Sequence, residues 1–258
     1  MIEFPALPFD LPAVIGHRGA AALAPENTLA GLGAGLRAGC RMLEVDAKLT
    51  ADGALILLHD DTLDRTTNGI GPAAPLTLSQ VQRLDAGGRF SPNFEGEQVP
   101  TLAAALDLCL EHGAALNIEI KPCPGCAQAT AEAVMSLLAR RPAGQTPPVL
   151  LSSFQPDALA VAQSRDADRP RGLLLAPGMI DDWQAQADAL QAATVNISDA
   201  DADAALIQAI RATGRSALIY TVNDPSRAVA LWQAGAAAVF TDVPDLLVPA
   251  WVAWHKSA

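Results

Sequence analysis

Short apolar runs alternate with alanine- and leucine-rich stretches along almost the whole chain, and this rhythm constrains the fold more than any other feature. The runs are 13–16, 41–47, 54–58, 115–121, 149–153, 172–175, 194–197, 216–221 and 238–241. Helices are expected at 27–39, 101–112, 127–140, 156–165, 180–191, 201–213 and 225–234, with a last one running to about Trp254. Nearly continuous apolar strands separated by helices make a parallel sheet covered by helices. Roughly eight such units in about 250 residues suit a closed (β/α)8 TIM barrel better than an open doubly wound sheet. No G-x-G-x-x-G opens a helix after a strand, so the dinucleotide fingerprint is missing. The expected organisation is one α/β barrel domain spanning residues 1–258.

One stretch breaks the rhythm. Residues 66–100 are rich in Gly, Pro and polar residues and too long for an ordinary connection. They are expected to form an insertion after the second strand region, a lid or small subdomain hanging over the barrel mouth. A decorative excursion is the alternative.

The polar residues fall at telling places. His17 and His59 close two apolar runs, Glu44 and Asp46 sit in Arg41-Met-Leu-Glu-Val-Asp, and Glu119 and Lys121 sit in Leu116-Asn-Ile-Glu-Ile-Lys. Strand C-terminal ends gather at one mouth of a parallel barrel, where its active site is built. Positions i and i+2 of a strand share a face, so Glu44 points with Asp46, and Asn117 points with Glu119 and Lys121. Three carboxylates sharing a mouth repel unless a cation lies between them. Oxygen donors without thiolate or imidazole suit Mg²⁺, Ca²⁺ or Mn²⁺ over zinc. The competing explanation pairs these acids with Arg41, Lys48 and Lys121 in structural salt bridges. Two imidazoles titrating near neutrality fit the base and acid that phosphodiester cleavage needs, and Arg18 and Lys121 can receive the phosphate. His112 and His255 have no such placement.

Composition narrows the partners. A formal charge of −11 argues against nucleic acid and against anionic lipid surfaces. The first fifteen residues carry Glu3, Asp10 and three prolines but no Lys or Arg, the reverse of a signal peptide. No apolar run reaches the ~18 residues of a membrane span, so a soluble cytoplasmic protein is expected. Cys123 and Cys126 form a C-x-x-C that reads as a turn after the Lys121 strand, with a redox pair as the alternative.

His17-Arg18-Gly19, Pro25-Glu26-Asn27-Thr28, Leu43-Glu44-Val45-Asp46, Thr50 with Asp52-Gly53, His59-Asp60, Leu63-Asp64-Arg65-Thr66-Thr67, Pro100-Thr101-Leu102, Asn117-Ile-Glu-Ile-Lys121 and Thr241-Asp242-x-Pro244 follow one another in order. Together, over about residues 13–247, this set resembles the glycerophosphodiester phosphodiesterases. The resemblance implies a (β/α)8 barrel and metal-dependent hydrolysis of small glycerophosphodiesters to sn-glycerol 3-phosphate and an alcohol. It implies Glu44, Asp46 and Glu119 as ligands of one divalent ion, His17 and His59 as the acid–base pair, and Arg18 and Lys121 as phosphate contacts. A glycerol pocket is expected beside the metal, walled by Phe154, Tyr220 and the 66–100 insertion. Tyr220 departs from the tryptophan that the family often carries before Thr-Val-Asn. A lysophospholipase D-type activity, with Trp251 and Trp254 touching a membrane, is one alternative. A catalytically silent glycerophosphate-binding barrel is another, and it predicts loss of a histidine or an acid that this chain retains.

Overall fold

The computed structural model describes residue 7 and residues 9–256. Residues 1–6, which hold part of the acidic start discussed above, lie outside the described residues, as do 8, 257 and 258. The described strands are β1 (Val14–Gly16), β2 (Met42–Leu49), β3 (Leu55–Leu57), β4 (Ala115–Ile120), β5 (Val149–Ser153), β6 (Arg171–Leu174), β7 (Thr194–Ser198), β8 (Ser216–Tyr220) and β9 (Ala238–Thr241). With β3 set aside, neighbours pair in parallel, and β1 bonds to both β2 and β9. Eight strands therefore close a TIM barrel. Around it run α1 (Leu29–Arg37), α2 (Leu78–Val81), α3 (Leu102–Glu111), α4 (Ala127–Arg140), α5 (Pro156–Arg165), α6 (Trp183–Ala189), α7 (Ala204–Ala212), α8 (Pro225–Ala234) and α9 (Pro244–His255).

Strand alternation sorts the side chains. Leu43, Val45, Ile118, Ile120, Val195 and Ile197 face outward and pack with helix residues such as Leu32, Leu106, Val134 and Ile207. Inside the barrel, Met42, Ala115, Leu150 and Leu218 form an apolar floor with Ile15 and Phe240. Two and four residues further along β2 and β4, the inward positions become Glu44, Asp46, Asn117 and Glu119, all buried. The apolar floor closes the barrel below, so polar chemistry is confined to the C-terminal mouth.

The first turn of this mouth depends on local backbone chemistry. Gly19 has φ +91°, and a Cβ there would lie 2.5 Å from the Gly31 carbonyl carbon. Only glycine permits that approach between the β1–α1 loop and α1. Thr28 caps α1 by accepting the Gly31 N–H at 3.0 Å, while its hydroxyl donates to the Pro25 carbonyl at 2.7 Å. Such a cap is worth about 1 kcal/mol. It also fixes the Glu26-Asn27 pair that precedes it.

The 54–58 run is a strand, as expected, but not a barrel strand. β3 pairs antiparallel with β2, Ala47 opposite Leu57 and Leu49 opposite Leu55. The run is apolar because both its faces are covered: Leu55 and Leu57 join the main core, and Ile56 and Leu58 join a separate cluster with Leu63, Val81 and Val99. Two-sided burial erases the alternation that would have marked a hairpin strand. The Asp52-Gly53 pair, with Gly53 at φ +80°, is the turn signal that does mark it. His59 thus reaches the mouth on a returning strand, with the Leu58 N–H bonded to the Asp46 carbonyl at 3.0 Å.

Candidate active site

Glu44 and Asp46 come from β2 and Glu119 from β4, where Asp46 is the register partner of Glu119. One oxygen of each lies within 4.8 Å of the other two, and all three residues are buried. Their electrostatics express the crowding. Burial, with Asp46 and Glu119 beside it, pushes Glu44 well above the carboxylate range. Burial and Asp46 raise Glu119 to about 7. Burial would raise Asp46 too, but the Arg18 and Lys121 cations hold it below its ordinary value.

The neighbouring groups fix these oxygens without satisfying all of them. The Arg18 backbone N–H, in a left-handed turn at φ +51°, donates to Glu44 Oε2 at 2.8 Å. Asn27, also left-handed at φ +55°, brackets Asp46: its Nδ2 donates to Oδ2 at 2.7 Å and its Oδ1 accepts the Asp46 N–H at 3.1 Å. Lys121 Nζ lies 2.7 Å from Glu119 Oε1 and 3.8 Å from Asp46 Oδ1. Glu44 Oε1 is buried with no hydrogen-bond partner. An unpaired carboxylate oxygen converging with two other carboxylates fits a hard divalent ion. The competing salt-bridge explanation is only partly met, since buried Lys48 pairs with Asp61 at 2.9 Å instead.

Both histidines carry a carboxylate behind the ring. His17 Nδ1 donates to Asp242 Oδ1 at 2.7 Å, and Asn223 Nδ2 holds the other oxygen of Asp242 at 2.8 Å. His59 Nδ1 donates to Asp60 Oδ1 at 2.7 Å. Arg65 in turn grips Asp60 through Nε at 2.7 Å and Nη2 at 2.9 Å. With Nδ1 engaged, Nε2 is the nitrogen each ring keeps for a ligand. Burial lowers His59 below its ordinary value, against the opposing pull of Asp46. Arg65 also binds Glu26 at 2.6 and 2.8 Å, and Glu26 accepts from Arg18 Nη1 at 2.8 Å. A chain of alternating charges therefore runs from His59 to Arg18 around the rim.

A cavity of about 220 Å³ opens at this mouth. His17, Arg18, Glu44, His59, Glu119, Lys121, Phe154 and Tyr220 all line it, and Asp46 lies buried just behind them. The Phe154 and Tyr220 rings meet edge to face with centroids 5.7 Å apart, and Lys121 Nζ lies 5.0 Å from the Phe154 centroid. The Tyr220 hydroxyl donates to the Leu175 carbonyl. Residues 66–100 line none of the cavity, so the expected lid wall is corrected. That segment packs instead on the β1–α1 loop and α1: Phe94 lies on Ala20, Ala24 and Ala34, and Glu97 Oε1 accepts the Ala30 N–H at 3.1 Å. Its own small apolar cluster holds it there.

Residues 17–246 match the profile of the glycerophosphoryl diester phosphodiesterase family. The chain belongs to that family. Its fold is similar to that of an Oleispira antarctica phosphodiesterase solved in complex with the product sn-glycerol-3-phosphate, at 35% identity and a TM-score of 0.89 over 94% of this chain and 97% of that one. A glycerophosphodiester phosphodiesterase from Agrobacterium tumefaciens is similar at 30% identity and a TM-score of 0.74, over 92% of this chain and 98% of that one. The glycerophosphodiester phosphodiesterase of Caldanaerobacter subterraneus subsp. tengcongensis is 30% identical over 91% of this chain and 96% of its own length.

Within this glycerophosphodiester phosphodiesterase barrel, several residues sit closer to the site than their sequence positions suggest. Asn27, Glu26, Asp60, Arg65 and Asp242 all belong to the ordered motifs, yet nothing local assigns them a partner. For Asp60 the signal is its adjacency to His59; the other four are marked only by belonging to those motifs. Asn27→Ala removes both bonds that orient Asp46. Loss of such an outer partner weakens cation affinity by about 10–100-fold, the expected result in a calorimetric Mg²⁺ titration. Wild-type affinity in that titration would reduce Asn27 to a turn residue.

Proposed function

We propose that the protein hydrolyses small glycerophosphodiesters, such as glycerophosphocholine and glycerophosphoethanolamine, to sn-glycerol 3-phosphate and the free alcohol. The observation that carries this is the convergence of three buried carboxylates and two carboxylate-backed histidines on one small cavity. Glu44, Asp46 and Glu119 would hold one divalent ion, Mg²⁺, Ca²⁺ or Mn²⁺. Such an ion would supply positive charge to neutralise the phosphate and make the attacking oxygen easier to deprotonate. Arg18 and Lys121 receive the phosphate oxygens. Of His17 and His59, one takes the proton from the attacking oxygen while the other gives a proton to the departing alkoxide. Asp242 and Asp60 keep both rings oriented and stabilise them when they are charged.

The cavity of about 220 Å³ adjoins a second of about 260 Å³ that shares His59, Glu119, Lys121 and Phe154 with it, which leaves room for a glycerophosphoryl group and for the alcohol beyond it. Trp251 and Trp254, the suggested membrane contacts, lie with centroids 5.0 and 5.9 Å from that of buried Trp232, which supports packing of α9 as their role. No described helix is long and apolar enough to cross a membrane. The acidic balance of the chain supports action on soluble diesters in the cytoplasm, without nucleic acid as a partner.

A panel of diesters coupled to sn-glycerol 3-phosphate detection tests the proposal. Glycerophosphocholine and glycerophosphoethanolamine are expected to react with similar kcat/KM. Bis(p-nitrophenyl) phosphate, assayed at the same metal concentration, is expected to react far more slowly. Comparable rates on all three would indicate an unspecialised phosphodiesterase.

A further inference from the structure

We infer that Asn117 is a specificity-determining residue whose side-chain oxygen accepts a hydrogen bond from a hydroxyl of the substrate's glycerol. The inference rests on the glycerophosphodiester activity proposed above. Asn117 lies inside the barrel on β4, opposite Glu44 of β2 in the strand register. It is 1% exposed and lines the cavity beside the acids. Its Nδ2 donates to Ser152 Oγ on β5 at 2.9 Å. That bond sets the amide plane and turns the oxygen away from Ser152. Oδ1 is then left buried with no hydrogen-bond partner.

Buried acceptors in folded proteins are nearly always paired, so this one marks what the cavity is built to receive. The missing partner must be a donor. A phosphodiester is ionised at neutral pH and offers only acceptor oxygens, which Arg18 and Lys121 are charged to meet. At the enclosed end of the substrate, the glycerol hydroxyls are the donors. An apolar group placed against Oδ1 would leave it unpaired, and a site built this way rejects an analogue lacking the hydroxyl far more strongly than an apolar pocket rejects a misfit methylene. Asn117 therefore acts on substrate choice, whereas Glu44, Asp46 and Glu119 act on the cation.

Asn117→Ala, Ser152→Ala and the wild type are to be compared on glycerophosphocholine and on propylphosphocholine, which has the same headgroup but no glycerol hydroxyls. The wild type is expected to prefer glycerophosphocholine strongly. Asn117→Ala is expected to lower kcat/KM for glycerophosphocholine by roughly 10–100-fold, mainly through KM, and for propylphosphocholine by less than about 3-fold, so that the preference shrinks. Ser152→Ala keeps the acceptor but loosens its orientation, and an intermediate loss of preference is expected. Calorimetric Mg²⁺ affinity is expected to match wild type in both variants.

Equal losses on the two substrates, an unchanged preference, or a weakened Mg²⁺ affinity in Asn117→Ala would overturn the assignment. If Asn117→Ala does not fold, Ser152→Ala decides, and an unchanged preference there overturns it. A wild-type enzyme inactive on every glycerophosphodiester would instead refute the proposed function and take this inference down with it. An active wild type with no preference refutes the inference alone.

Discussion

Stripped of divalent cations by a chelator and dialysis, the protein is expected to lose its hydrolytic activity, and Mg²⁺, Mn²⁺ or Ca²⁺ is expected to restore it. Three buried carboxylates with oxygens inside 4.8 Å form a site that repels itself when fully charged. Burial and mutual repulsion raise Glu44 and Glu119, while Asp46 remains ionised under the Arg18 and Lys121 charges. A cation supplies the charge that lets all three ionise together. The pH dependence follows with a definite sign. Burial and repulsion raise both Glu44 and Glu119, the latter to about 7, so cation uptake is expected to expel protons from this coupled pair, and affinity is expected to rise with pH around neutrality. Calorimetry in buffers of different ionisation enthalpy reads the released proton directly. Full activity in demonstrably metal-free protein would end the metal assignment, and a pH-independent affinity would show that neither Glu44 nor Glu119 gives up a proton to the cation.

His17→Ala and His59→Ala are each expected to lower kcat by roughly 10²–10⁴ while leaving the fold intact, the usual scale for losing general acid–base help. Neither ring is needed to fill the core, since His17 and His59 side chains are 18% and 29% exposed at the cavity. What each offers is an imidazole with Nδ1 anchored to a carboxylate. Asp242→Asn and Asp60→Asn keep the rings in place but withdraw the negative charge behind them. Both are expected to lower kcat by less than the histidine substitutions do. Asp60→Asn should also disturb Arg65, whose guanidinium loses one of its two carboxylate partners. Near wild-type turnover in either alanine variant would make that histidine a structural residue.

The sequence by itself carried the architecture and most of the site's chemistry, because both are written in short-range periodicity. Alternation along Leu43-Glu44-Val45-Asp46 and Ile118-Glu119-Ile120 dictates which side chains face inward, whichever strands lie next to them. The position of polar residues near strand ends dictates which rim they reach. Register, direction and distant pairing are properties of closure, and no local pattern encodes them. Direction failed at β3, where burial on both faces made a returning hairpin strand look like a barrel strand. The pocket wall expected from 66–100 failed for a related reason: length and composition identify an insertion but not which residues its apolar side chains will meet. His17 meets Asp242 only because β1 closes against β9, joining residues 225 positions apart. The rim chain from His59 through Asp60, Arg65 and Glu26 to Arg18 likewise exists only when two loops are brought together. Asn117 is the sharpest case. Its inward direction was legible from the strand, but its unpaired oxygen depended on Ser152 arriving from β5 to claim the other end of the amide.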